Sequence, residues 1–245
     1  MALLTVHQLA FISGLLGNVV SFLVFLAPVP TFYKIYKKKT SEGYQSIPYS
    51  VALFSAVLLL YYAIVKTNAF FIVSINGIGT VIETIYLVIY FVYAPKKEKL
   101  FTMRLVLLFN VGCMSFVVLF TLLFVKGPNK VTVVGSICAA VNLAVFASPL
   151  CVMGQVIRTK SVEFLPVTLS FFLTLCATSW FFYGFFVKDF YIAIPNVVGF
   201  LLGIAQIILY FIYKDAKKDK KIAGEKAMHA ATDQKRGEVE MEPIV

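Results

Sequence analysis

The stretch FLAPVP at residues 25–30 recurs as FASPLC at residues 146–151, about 120 residues later in the chain. The recurrence extends outward from there, because SINGIG at 74–79 is matched by IPNVVG at 194–199 with nearly the same offset. An internal duplication in an apolar chain is typical of transporters that are built from two similar helix bundles with a site between them. The duplication therefore predicts that a solute passes between two matched halves.

The composition predicts an integral membrane protein. The 245 residues are 60% hydrophobic and 14% charged, and the mean hydropathy is +0.88. A soluble domain carries about 25% charged residues, whereas a membrane-spanning helix needs about 20 apolar residues. We expect seven such spans, at 6–31, 46–65, 68–93, 101–125, 131–155, 164–187 and 190–213.

The basic residues are distributed unevenly between the two sides that these spans define. Eighteen Lys or Arg residues follow spans one, three, five and seven, whereas the other side receives only Lys66, Lys126, Lys130 and Lys188. Because Lys and Arg accumulate in cytoplasmic loops, we expect an extracellular N-terminus and a cytosolic C-terminus. The net charge of +10 is then a consequence of topology, and no nucleic-acid partner is expected.

Matched residues relate spans one to three to spans five to seven. The pairs include Gly14 with Gly135, Pro28 with Pro149, Tyr62 with Tyr183, Gly79 with Gly199 and Tyr90 with Tyr210. Span four has no counterpart, and this single extra span gives both triples the same orientation in the membrane. We therefore predict an all-α fold of two parallel three-helix repeats (1–95 and 129–213) joined by a linker helix (96–128), with a disordered cytosolic tail (214–245).

Three side chains within the spans are candidates for a ligand site. Asn76 and Asn196 occupy matched positions, and an amide both donates and accepts hydrogen bonds without charge, which suits a neutral polyhydroxyl ligand. An interhelical hydrogen bond would satisfy them equally well. Trp180, the only tryptophan, lies in the middle of span six, where its ring would stack on the C–H face of a sugar or pack between helices.

Two further groups of residues predict moving parts. Four prolines lie in corresponding places of the two triples: Pro28, Pro48, Pro149 and Pro166. Because proline interrupts a helix, these residues would either let both triples bend around a central site or only shape static kinks. At the mouths of spans two and six, Asp189 would pair reversibly with Lys66 or, equally, with Lys188, and Tyr62 lies in the same region.

Glu83 is the only carboxylate well inside a span, and an acid in this place suggests proton coupling. Its counterpart in the second triple is Gly203, and no other charged residue accompanies it within the membrane, so a passive carrier is favoured. The sequence contains no arrangement of nucleophile, base and orienting group and no metal-binding pattern, which argues against an enzyme, a metal and a cofactor.

Several motifs, in this order and spacing, resemble the SWEET sugar transporters of plants: APVPTF, KKKTSEGYQSIPY, TVIETIY, RTKSVEFLP and KDFYIAIPNVVG. The resemblance covers residues 8–213. It implies a bidirectional, passive carrier that moves a mono- or disaccharide by alternating access and forms homo-oligomers among the membrane lipids. The motifs and the tail are most similar to the sucrose-transporting branch of the plasma membrane, and hexoses are the other candidate substrates.

The resemblance also implies roles for single residues. It makes Asn76 and Asn196 sugar ligands, the four prolines an inner gate, and Tyr62 with Asp189 an outer gate. Small side chains at positions similar to the pocket of SWEETs are Ser21, Val24, Ser55, Asn142, Val145 and Cys176. Leu59 is the repeat counterpart of Trp180. Many similar SWEETs carry a second tryptophan at the position of Leu59, so strong stacking is expected on one side only.

Two alternative functions follow from the same features. A proton-coupled transporter of the PQ-loop type would depend on Glu83 and would carry another small solute. A non-transporting seven-helix receptor would account for the spans, but it would have no need of matched triples.

Overall fold

The computed structural model describes residues 5–162 and 165–214 of the chain. Apart from Lys214, the tail predicted at 214–245 lies outside the described residues. The described residues form helices and no strand, and seven of the helices are long and apolar enough to cross a membrane. They are α1 (Val6–Lys38), α2 (Ile47–Lys66), α3 (Phe70–Tyr93), α4 (Lys96–Phe124), α5 (Asn129–Thr159), α6 (Val167–Phe186) and α7 (Phe190–Tyr213).

The predicted all-α membrane fold with seven spans is confirmed. The predicted spans were too short for three helices, since α1, α4 and α5 continue beyond the apolar stretch through charged or polar residues. Hydropathy marks the part of a helix that lies in lipid, but the backbone hydrogen-bond ladder extends as far as the residues permit.

Six of the helices form a ring, and the seventh lies outside it. Within the first triple α3 stands between α1 and α2, and within the second α7 stands between α5 and α6. The triples meet where α1 contacts α6 and where α2 contacts α5, and α4 packs mainly on α2. Each junction thus joins the first helix of one repeat to the second helix of the other.

The first helix of each repeat is interrupted near its matched proline. α1 consists of Val6–Leu26 and Val29–Lys38, with Pro28 in the break. α5 consists of Asn129–Val145 and Ala147–Thr159, and Pro149 lies in the first turn after the break. Because proline has no N–H to donate and its ring crowds the preceding turn, the ladder is broken within a few residues of the matched proline in both repeats.

A lysine ends each interrupted helix and ties it to the third helix of its repeat. Lys39 and Lys160 both adopt a left-handed backbone, with φ of 58° and 53°. The ammonium group of Lys39 donates to the Tyr93 hydroxyl at 3.2 Å, and that of Lys160 donates to the Tyr213 hydroxyl at 3.0 Å. We call this end of the ring the basic end, and the other end the opposite end.

Glycines let aromatic rings fill the junctions towards the opposite end. A Cβ at Gly14 of α1 would lie 2.5 Å from Phe71 and 2.9 Å from Tyr183. At Gly135 of α5 the matched rings are Tyr191, 2.6 Å away, and Tyr62, 3.0 Å away. A real Cβ does not approach a ring so closely, so the absence of a side chain is what admits this layer of four rings.

We predict that Gly14→Ala destabilises the fold by about 1–3 kcal/mol, because the added methyl group must displace Phe71 and Tyr183. Gly154→Ala is the control, since a Cβ at Gly154 meets no atom of the described residues within 4 Å. Thermal unfolding of the purified protein in detergent measures both, and equal unfolding temperatures for the two variants would contradict the packing described.

Candidate functional site

A cavity of about 700 Å³ lies inside the ring and is lined by both repeats. It runs from Ile72 and Ile192, in the first turns of α3 and α7, to Gln45 and Ile47 at the basic end of α2. Most of the predicted substrate-binding residues line it, namely Ser21, Ser55, Leu59, Asn76, Asn142, Val145, Trp180 and Asn196. Val24 and Cys176 are not among the lining residues.

The two matched asparagines face the cavity in the same way. The Asn76 amide nitrogen donates to the Ile72 carbonyl oxygen at 2.9 Å, and the Asn196 amide nitrogen donates to the Ile192 carbonyl oxygen at 2.7 Å. Each bond stays within its own helix, so among the described residues neither asparagine forms the interhelical bond that the sequence left open. The Oδ1 atoms take no hydrogen bond from the described residues, and each is therefore free to accept one from a hydroxyl group.

A chain of hydrogen bonds fixes the Trp180 ring at the α1–α6 junction. The indole N–H donates to Ser21 Oγ at 2.9 Å, and Ser21 Oγ lies 3.1 Å from Cys176 Sγ. The indole covers Gly17, where a Cβ would come within 3.0 Å of the ring, and its edge meets Tyr183 at 5.4 Å between centroids. Trp180 thus lines the cavity with an oriented aromatic ring, whereas Cys176 lies behind Ser21 and does not line it.

The α2–α5 junction carries the matched contact with different chemistry. Ser55 Oγ donates to Asn142 Oδ1 at 3.0 Å, and these residues are the repeat counterparts of Cys176 and Ser21. Leu59 takes the place of Trp180, so Asn142 has no indole donor to accept from. Its amide nitrogen forms no hydrogen bond with the described residues, which leaves it available to a ligand. One wall of the cavity is therefore aromatic and the other is a hydrogen-bonding wall.

Asp189 closes the opposite end of the cavity. The Tyr62 hydroxyl donates to its carboxylate oxygens, at 3.0 and 2.9 Å, and the Lys66 ammonium group forms an ion pair with it. The carboxylate also caps α7, since Oδ1 accepts from the backbone N–H groups of Tyr191 at 3.1 Å and Ile192 at 3.3 Å. Of the two lysines that the sequence left open, the structure selects Lys66.

The closure joins the two repeats through a buried charge. The Asp189 side chain has no exposed surface, while that of Lys66 is 24% exposed. Tyr62 belongs to the first triple and Asp189 to the second, and the aromatic layer around Gly14 and Gly135 lies beside them. A buried charge is costly unless it is paired, so this end stays shut while Tyr62 and Lys66 remain in place.

The four predicted prolines fall into two classes. Pro28 and Pro149 adjoin the breaks in α1 and α5, as a hinge requires. Pro48 is the second residue of α2 and Pro166 precedes the first residue of α6, so neither interrupts a helix. Proline is tolerated in a first helical turn because the N–H there has no helical acceptor, and the expected kink is absent at these two positions.

Pro195 was not predicted to have a role, but it lies in the cavity wall. It lies inside α7, next to Asn196, and its counterpart in α3 is Ile75, which also lines the cavity. A proline within a helix leaves the carbonyl four residues earlier, here that of Tyr191, without its helical donor. The signal was the dipeptide Pro-Asn within an apolar span.

Glu83 lies apart from this cavity. It is buried in α3, its Oε2 has no hydrogen-bond partner among the described residues, and it does not line the cavity. A ligand in the cavity would therefore not touch Glu83 in the described state.

We predict that Tyr62→Phe loosens the opposite end more than Tyr61→Phe does. A hydrogen bond to a charged group contributes about 1.5–3 kcal/mol, against about 0.5–1.5 kcal/mol for the neutral bond between Tyr61 and Thr121. Hydrogen exchange of peptides around residues 62–66 and 189–193 should rise markedly in Tyr62→Phe. If the two variants exchange alike, Asp189 does not hold this end closed.

Comparison with known proteins identifies the relatives of the chain. The profile of a family described as "Sugar efflux transporter for intercellular exchange" (MtN3_slv) matches residues 11–98 and again residues 132–218. The bidirectional sugar transporter NEC1 of Petunia hybrida is 64% identical over 218 residues, which are 89% of this chain and 82% of the relative. The bidirectional sugar transporter SWEET9 of Arabidopsis thaliana is 56% identical and covers 88% of this chain and 83% of its own.

A solved structure supports the same relationship. The 3.7 Å resolution structure of a eukaryotic SWEET transporter superposes with a TM-score of 0.80 at 35% identity, and covers 84% of this chain and 97% of the solved one. The family is one of transporters and not of enzymes. With two matches to the family profile and relatives of such identity, the chain belongs to the MtN3/SWEET family of sugar transporters.

Proposed function

We propose that this protein is a bidirectional, passive sugar carrier that works by alternating access. The observation that carries the proposal is a cavity between two matched helix triples, mostly apolar but with the Asn76, Asn142 and Asn196 amides in its wall, extended towards the basic end and closed at the opposite end by Asp189. Membership of a family of sugar transporters supports the same function.

The substrate we propose is a neutral mono- or disaccharide. Asn76 and Asn196 each offer a carbonyl oxygen to a sugar hydroxyl, and the Asn142 amide offers a donor on the facing wall. Trp180 would stack on the C–H face of one sugar ring. A cavity of about 700 Å³ lies within the range of small-molecule sites and accommodates either size of sugar.

Binding should be weak, which suits a carrier that must release its ligand. A dissociation constant of about 1 mM corresponds to about 4 kcal/mol. Each hydrogen bond adds about 0.5–1.5 kcal/mol after desolvation, so three bonds and one stacking contact reach this value.

For the orientation, we propose that the basic end faces the cytosol and that the membrane is the plasma membrane. The bias of 18 basic residues to 4 supports this orientation. The described state is then open to the cytosol and closed to the outside.

During transport, residues 1–95 and 129–213 would move as two units about the linker at 96–128. Opening the opposite end requires that Tyr62 and Lys66 leave Asp189, while closing the basic end brings the second helices of the two repeats together. Phe25 and Phe146 are matched residues beside the breaks in α1 and α5, and both line the cavity towards the basic end. They are placed to seal this end once the helices bend.

Each chain contains a complete cavity, so the homo-oligomer that we propose from the family resemblance is not needed to form the sugar site. A proton-coupled mechanism is the second candidate, because Glu83 is buried and its Oε2 has no hydrogen-bond partner among the described residues. The position of Glu83 outside the cavity favours passive transport.

In sugar-transport-deficient cells, we predict uptake of labelled sucrose or glucose that a proton uncoupler does not reduce. Asn76→Ala and Asn196→Ala should each raise the KM about fivefold to tenfold or abolish uptake, because each removes one hydrogen bond of about 1–1.5 kcal/mol. Uptake by surface-expressed protein measures the effect.

Asn18→Ala is the matched control, since Asn18 bonds to Ser74 within the first repeat and does not line the cavity. Its uptake should stay near that of the unchanged protein. Loss of uptake with the uncoupler and in Glu83→Gln would instead establish proton coupling, and no uptake of either sugar would contradict the proposed substrate.

A further inference from the structure

A second cavity lies on the outer surface of the ring, between α2, α3 and α4. Its volume is about 330 Å³, and α3 contributes Leu87, Val88 and Phe91 while α4 contributes Met103, Val106 and Leu107. It shares no residue with the central cavity. The sugar site therefore does not account for it.

The lining of the groove is apolar, although two of its residues, Thr84 and Thr102, carry a hydroxyl group. The Thr84 hydroxyl donates to the Thr80 carbonyl oxygen at 2.6 Å, and Thr102 Oγ1 lies 2.8 Å from both the Glu98 carbonyl oxygen and Ser46 Oγ. Each threonine hydroxyl thus bonds within the protein, Thr84 to its own helix and Thr102 to its own helix and Ser46. A ligand that enters this groove meets hydrocarbon and no free donor, which selects an apolar chain.

The groove opens towards the lipid. Val88 and Leu107 are 55% and 53% exposed on the protein surface, as expected of side chains that face acyl chains. From Thr84 to Val92 the groove follows α3 for about 12 Å at the helical rise of 1.5 Å per residue. A groove of this length and volume takes one lipid tail running along the helix.

The end of the groove nearest the basic end carries positive charge. The Lys99 ammonium group lies 5.8 Å from the centroid of the Phe91 ring, which lines the groove. Lys96 lies one turn earlier on the same face of α4, so it extends the positive charge outward. Glu98 is the one carboxylate in this turn, and the two lysines together with Lys97 leave the turn net positive.

The start of α4 adds hydrogen-bond donors at the same place. Pro95 precedes Lys96 and supplies no side-chain cap, so the first N–H groups of α4 lack a capping side chain. First-turn amides and the positive end of the helix dipole favour a phosphate oxygen. Lysines, amides and the apolar groove lie in sequence along one face.

We propose that this face binds one anionic phospholipid, with an acyl chain in the groove and the phosphate between Lys96 and Lys99. Neither part of the site suffices alone, since a zwitterionic lipid gains little from the lysines and a soluble phosphate gains nothing from the groove. Anionic lipids are concentrated in the cytoplasmic leaflet, which is where the proposed orientation places this end. Binding in detergent does not depend on that orientation or on sugar transport.

The test is native mass spectrometry of the full-length protein, purified in detergent and titrated with dioleoyl phosphatidylserine or dioleoyl phosphatidylcholine. We expect one phosphatidylserine to be retained at concentrations at which phosphatidylcholine is not. Lys96→Gln/Lys99→Gln should weaken retention about fivefold for each lysine removed. Lys34→Gln/Lys37→Gln is the matched control, with the same loss of charge at the basic end but on α1.

A second pair of variants tests the groove. Val88→Trp fills it with a ring and should weaken phosphatidylserine retention about tenfold or more, because the chain loses its place against α3 and α4. Val81→Trp is the control, since Val81 is 59% exposed two turns earlier on the same face of α3 and does not line the groove. All variants should keep the unfolding temperature of the unchanged protein.

Equal retention of the two lipids would contradict the proposal, because the lipid would then be bound without regard to charge. Loss of retention in the α1 control to the same extent as in Lys96→Gln/Lys99→Gln would show a diffuse charge effect and also contradict it. Unchanged retention in Val88→Trp would place the lipid elsewhere. Sugar uptake, measured separately, does not enter any of these outcomes.

Discussion

The buried carboxylate of Asp189 is the interaction on which the described state depends. It links the repeats, since it caps the start of α7 while Tyr62 and Lys66 belong to α2. It also holds the first turn of α7 in shape through two backbone N–H groups. Because an unpaired charge is costly inside a protein, separation of the repeats must bring water to Asp189 at the same moment. In the proposed cycle the closure would therefore alternate between a paired and a hydrated carboxylate.

The proposed sugar site owes its asymmetry to departures from the repeat. Gly14 and Gly135, the breaks in α1 and α5, and the lysine contacts at the basic end are alike in both triples. The cavity walls differ, since Trp180 is matched by Leu59 and the serine and cysteine at one junction are matched by asparagine and serine at the other. Two equal scaffolds thus hold a site with two different faces, which suits a sugar because its ring faces and its hydroxyl edges need different partners.

Much of this architecture could be predicted from the sequence, because membrane spans follow from hydropathy and the repeat follows from matched residues. Asn76 and Asn196 were predictable candidates since an amide is costly in an apolar span unless it has a partner. Side-chain contacts across the junctions were not predictable. The amino-acid sequence alone does not show that Cys176 lies behind Ser21, or that Asp189 pairs with Lys66 and not with Lys188.

The prolines and α4 show a second limit. Kinks were predicted at Pro48 and Pro166 because a proline in an apolar span suggests one. In the structure α2 and α6 begin at these prolines. The ends of helices are the least certain part of a prediction from sequence. The π-helical segment Val106–Cys113 of α4 carries no periodic signal that distinguishes it from an α-helix.

Distances between pairs of spin labels test alternating access most directly. The labels are placed at matched exposed positions of a cysteine-free protein in liposomes. One pair is Ile64→Cys with Phe185→Cys at the opposite end, and the other is Tyr33→Cys with Gly154→Cys at the basic end. Alternating access predicts that added sugar lengthens the first distance in part of the population and shortens the second in the same part. Distances that do not change, or that lengthen at both ends together, would contradict it.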